Sequence, residues 1–271
     1  MPSLKHDTFF RRHPVFTSEE LSEHLSANAK VGSRARESLL SYYTKTGRLV
    51  RIRRGLYAVV PPGSDLQSHP VDPYLIVSKL TPDAVLSHHT ALQFFGRAYS
   101  VWQEFNYQSE RPVREMTFRG QAFKGTRFPM ALVRSGNQQF GVPAVPYSGM
   151  LVKVTSLERT LVDVLHRPWL SGGWEEVWRS LESVEFFDLD VVVEYCILLE
   201  NASTTSRVGF YLEQHREELM VEERHLKELR LHRPHQPHYF DRSRRESGRL
   251  FRDWNLVVPA EVVERSWSDV L

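Results

Sequence analysis

Between Gly47 and Gly63 the chain reads GRLVRIRRGLYAVVPPG, a stretch that few folded arrangements can satisfy. Val50 and Ile52 alternate with Arg51 and Arg53, so a period-2 element places an aliphatic face opposite a cationic one. Arg54-Gly55 supplies a turn, because glycine accepts the positive φ of a tight hairpin without steric cost. Leu56 to Val60 form the return strand, and Pro61-Pro62-Gly63 end the unit.

Upstream, Phe16-Thr17-Ser18-Glu19-Glu20-Leu21 is a helix start, with Thr17 as N-cap, Glu20 three residues on, and Phe16 placed to pack against Leu21. A polar connection from Ser26 to Gly32 leads to a second start at Ser33. From Arg34 to Lys45, Ala35, Leu39, Tyr42 and Tyr43 share one arc of the helix, with Arg36 beside it. Arg34, Ser38, Ser41 and Lys45 share another arc. Gly47 ends this helix, and a further helix from about Ser3 to Arg12 would complete the core. Helix, helix and hairpin in this order predict a winged helix-turn-helix over residues 1–63.

The charge is divided accordingly. Residues 1–63 hold eleven Lys and Arg against five Asp and Glu, whereas the remainder holds 24 against 28. A basic module on a mildly acidic body fits a nucleic-acid-binding head; a solvated hairpin edge protected by charge is the alternative. The expected partner is double-stranded DNA. Ser33, Arg34, Ser38, Ser41 and Lys45 would lie along a major groove, and Arg48, Arg51, Arg53 and Arg54 would hold the flanking backbone or minor groove.

Residues Pro61 to Pro73 read as a linker, and residues 72–271 as a larger mixed α/β domain with a helical C-terminal half, so the fold class is α+β. Helices are expected at Tyr74–Leu80, from Ser87 to Gly96, after the Thr155-Ser156-Leu157-Glu158 start, and at Trp174–Ser183, Leu189–Leu199, Thr205–Leu219 and Glu222–Leu231. Strands are expected near Phe105–Tyr107, Arg114–Phe118, Ala131–Arg134 and Met150–Val154. No internal repeat is evident. No apolar run is long enough to cross a bilayer, no signal-peptide core follows the N-terminus, and the single cysteine, Cys196, lies in an apolar run, so a cytoplasmic protein is expected.

Catalytic patterns are scarce. The chain has no phosphate-binding Gly-rich loop, no GxSxG and no paired CxxC, and no cofactor is expected. His232, His235 and His238 are spaced by prolines, and read as a solvated turn ahead of a metal site. His88-His89 reads as structural. Glu158 and Asp163, flanking Arg159, are read as exposed polar residues of a helix. The competing reading makes them part of a metal-dependent nuclease or transferase that the N-terminal module delivers to DNA. A ligand-sensing repressor is a third reading.

FTSEEL, GRLVRIRRGLYAV, LSHHTALQFFG and VTSLERTLVDVLHRPWLSGGWEEVWRSL together resemble the AbiEi family, over about residues 16–231. The resemblance implies a winged-helix domain followed by an antitoxin domain, in a type IV toxin-antitoxin system. It implies a protein that represses its own operon at inverted repeats and counters a nucleotidyltransferase-class toxin. Arg34, Lys45, Arg51, Arg53 and Arg54 match the family's basic DNA-contacting residues, and binding to inverted repeats implies two copies on the DNA. The basic run Arg242 to Arg252 departs from the family pattern, either as a second DNA-facing surface or as a solvated run.

Overall fold

The structure, a computed structural model, describes residues 6–28, 33–241 and 248–267. The fold is mixed α+β, and the chain divides into two compact units. The first comprises Met1–Leu86, Gln103–Gly125 and Ala144–Lys153; the second comprises Ser87–Trp102, Thr126–Pro143 and Val154–Leu271.

The first unit begins α1 (Asp7–Arg12), β1 (Val15–Thr17), α2 (Ser18–Asn28), α3 (Ser33–Lys45), β2 (Leu49–Arg53) and β3 (Leu56–Val59). The strands form an antiparallel sheet in the order β1-β3-β2. The capping box forms as the sequence predicts: Thr17 N donates to Glu20 Oε2 at 2.8 Å and Glu20 N to Thr17 Oγ1 at 3.2 Å. Phe9, Phe10, Phe16, Leu21, Leu25, Leu40 and Leu49 make the core. Phe10 meets Phe16 at 5.8 Å and Tyr43 edge-on at 5.2 Å. Each buried Phe or Leu is worth about 1.5–3 kcal/mol in transfer from water, so the three phenylalanines and four leucines contribute comparably to this small core.

The inward face of α3 is rotated from the expected one. Leu40 is buried and Leu39 and Tyr43 half-buried, whereas Ala35 is exposed and Tyr42 is 52% exposed. Arg36 sits near the middle of this face at 100° per residue and is half-buried, its Nε shielded from solvent.

The unit continues with α4 (Pro73–Ser78), capped by Asp72, which accepts from Tyr74 N at 2.9 Å. A four-stranded sheet follows, ordered β4-β5-β7-β6, from β4 (Val85–Leu86), β5 (Glu104–Ser109), β6 (Met116–Phe118) and β7 (Gln121–Arg127). The hairpin β8 (Ala144–Tyr147) and β9 (Met150–Lys153), a separate two-stranded sheet, completes the unit. The stretch read as a linker is bonded to this unit: Asp65 accepts from Gln67 N and Ser68 N, and the Arg119 guanidinium donates to the carbonyls of Leu66 and His69.

The second unit holds α5 (His89–Phe94), α6 (Met130–Ser135), α7 (Leu157–His166), α8 (Trp174–Glu182), α9 (Leu189–Leu198), α10 (Ala202–Gln214), α11 (Glu223–Leu231) and α12 (Ala260–Glu264). Strands β10 (His238–Tyr239), β11 (Gly248–Phe251) and β12 (Leu256–Pro259) form a sheet in the order β10-β12-β11. Ala131–Arg134, expected as a strand, lies in α6. Its apolar run is too short for periodicity to separate helix from strand. Cys196 is fully buried as a core residue, its thiol pushed up to about 12 by desolvation.

Candidate nucleic-acid interface

The polar arc of α3 lies opposite its buried one, and Arg34, Ser38, Ser41 and Lys45 are all exposed. Ser33 opens the helix, but its side chain lies outside the described residues. Exposed Glu37 is the one carboxylate between Ser33 and Lys45. Neither Arg34 nor Lys45 forms an ion pair with a carboxylate among the described residues, and both side chains are exposed.

The hairpin follows from α3 through Gly47, at φ 72°, and its turn rests on Gly55, at φ 78°. Its arginines divide into two pairs. Arg51 and Arg54 are exposed and form no ion pair among the described residues. Arg48 and Arg53, expected on the exposed surface of the hairpin, are half-buried instead. Arg48 binds Asp7 of α1 at 2.5 Å, which neutralises its charge. Arg53 donates from Nη2 to the carbonyl of Leu80 at 2.9 Å. For Arg53 the cause is a register shift between Arg51 and Arg53, which pair with Tyr57 and Leu56. That bulge breaks the alternation that would have put Arg51 and Arg53 on one face.

The other candidates of the sequence do not gather into a site. Asp163 is buried in α7, accepting from Tyr195 Oη at 2.7 Å and lying 3.5 Å from Arg159 Nε, where an exposed polar side was expected. Arg159, also buried, donates to the carbonyls of Gln138 and Phe140. Glu158 instead accepts from Asp188 N at 3.4 Å, so these carboxylates serve different neighbours. His232 ends α11 while His238 lies in β10. Among the described residues, no group of three His, Cys, Asp or Glu side chains is placed to hold a metal ion. Of the basic C-terminal run, residues 242–247 lie outside the described residues, while Arg249 and Arg252 are exposed.

The elements that present this surface, from α1 to β3, coincide with a known family. Residues 7–60 match the AbiEi antitoxin family of transcriptional regulators. The AbiEi match supports a regulatory, antitoxin role and covers α1, β1, α2, α3 and the hairpin. The whole fold is similar to the crystal structure of the RV2827C protein from Mycobacterium tuberculosis. That likeness has a TM-score of 0.56 and 20% identity, and covers 94% of this chain and 90% of that one. No curated protein matches the chain. No helix among the described residues is long and apolar enough to cross a membrane.

Proposed function

We propose that this protein is a DNA-binding antitoxin that represses its own operon, with residues 1–63 as a winged helix-turn-helix and residues 72–271 as the antitoxin and regulatory part. Its toxin would be of the nucleotidyltransferase class. The observation that carries the reading is the coincidence of the AbiEi match over residues 7–60 with uncompensated, exposed cations on two consecutive elements. Helix α3 enters the major groove with Arg34, Ser38, Ser41 and Lys45 toward base edges and phosphates. The sheet order β1-β3-β2 supports reading the hairpin as a wing, with Arg51 and Arg54 on the sugar-phosphate backbone.

Duplex binding by such a surface is dominated by release of counterions, so the test is the salt dependence of affinity. Arg51→Gln and Arg54→Gln are each expected to weaken binding to DNA from upstream of the reading frame. Each should also flatten the slope of log K against log salt by about 0.9, the value for one phosphate contact. Unchanged slopes in both variants would sink the wing assignment. A repressor role further requires that the same substitutions raise transcription from that promoter in a reporter assay.

A further inference from the structure

A wing that grips DNA must be held at a fixed angle to its helix, and the hairpin here is tied at two points near its tip. Ser18 N, at the start of α2, donates to the carbonyl of Gly55 in the turn at 2.8 Å. On the strand before it, Arg53 Nη2 reaches the carbonyl of Leu80, past the last turn of α4. There it satisfies a backbone carbonyl one residue beyond the C-cap Lys79. Arg53 Nε is shielded from solvent.

The two ties meet through a third. Glu20 of α2 caps its own helix with Oε2 and accepts the Lys79 ammonium with Oε1. Lys79 is the C-cap of α4, directly before Leu80. Hairpin turn, α2 start, α4 end and Arg53 therefore form a closed ring of polar contacts, all within the first unit.

We infer that Arg53 and Lys79 are positioning residues for DNA binding: they fix the hairpin so that Arg51 and Arg54 are presented together, and neither touches phosphate. The inference rests on the DNA-binding reading above. Its physical basis is preorganisation: a tip already ordered in the free protein does not have that ordering entropy to lose on the duplex. It also assigns a role in DNA binding to α4, outside the segment that matches the AbiEi family.

The experiment uses the full chain and a labelled duplex carrying the DNA upstream of the reading frame, titrated at several salt concentrations. Arg53→Met and Lys79→Met are each expected to weaken affinity by roughly tenfold. The salt slope of each should stay at the wild-type value, whereas Arg51→Gln and Arg54→Gln lower it. Lys79→Arg should restore wild-type affinity, and hydrogen exchange of amides 53–57 should quicken in both Met variants.

A slope lowered by Arg53→Met as much as by Arg51→Gln would make Arg53 a phosphate contact and overturn the inference. Wild-type affinity in both Met variants would overturn it too. Should Arg53→Met fail to fold by circular dichroism, Lys79→Met and the exchange rates decide alone. A wild-type protein that does not bind the duplex at low salt removes the DNA-binding reading itself and this inference with it. A wild-type protein that binds while the positioning variants behave as contacts removes only the inference.

Discussion

A single methyl group probes the packing of the second unit. Gly209 lies inside α10, where alanine would ordinarily stabilise a helix by about 1 kcal/mol. Here an added Cβ would stand 2.1 Å from Trp254 Cζ3 and 2.2 Å from Cη2. The indole cannot retreat easily: its Nε1 donates to Glu213 Oε2 at 2.8 Å, and the Trp254 carbonyl accepts from Ser206 Oγ at 2.6 Å. The sign therefore reverses, and Gly209→Ala is expected to destabilise by roughly 1–3 kcal/mol. A lower urea midpoint followed by tryptophan emission would register it. The same kind of local detail separates Arg51 from Arg53. Alternation in the sequence places both on one face, and only the bulge opposite Leu56, set by how β2 meets β3, turns Arg53 toward Leu80. No pattern in residues 47–63 announces that partner, because Leu80 lies beyond them.

At the scale of elements, α7 shows what burial does to titration. Desolvation holds His166 down to about 4, helped by the Arg167 and Arg207 charges and opposed by Asp163. His88, preceding α5, is likewise held at about 4, by desolvation first and then by Arg167, His166 and Arg159 against Asp163. The unfolded chain takes up these protons near pH 6.5 and the folded one only near 4, so acid favours unfolding across that interval. Burial alone would raise Glu176, but hydrogen bonds from His89 and Ser100 win and hold it at about 2. Its stabilisation is therefore lost only as pH falls below about 4.5. Stability is expected to fall between pH 6.5 and 4.5 because of the two histidines, and His166→Gln should flatten that fall in urea titrations. An unchanged profile would remove His166 from the account. The start of α7 is legible in Thr155-Ser156, with Ser156 Oγ accepting from Arg159 N at 3.3 Å, but the burial of Arg159 and Asp163 is not. Their polarity reads as solvent exposure until Tyr195, 32 residues from Asp163 in sequence, is seen to supply the partner.

For the whole molecule, the helices and hairpin within residues 7–60 were readable because capping, alternation and the Gly55 turn act over a few residues. The assembly of the units was not, because the chain passes between them five times, at residues 86, 102, 125, 143 and 153. If inverted repeats are the target, two chains must occupy one duplex, with half-sites separated by about one helical turn, roughly 10 bp, or a multiple of it. Sedimentation of the complex is expected to show two chains per duplex; full affinity with one chain would contradict a two-fold arrangement. The winding path also governs when the protein can mature. The strands β8 and β9 that complete the first unit end at Lys153, past the midpoint of the 271 residues. The amino-terminal unit therefore cannot close until Lys153 has left the ribosome, although α1 to β3 emerge well before it.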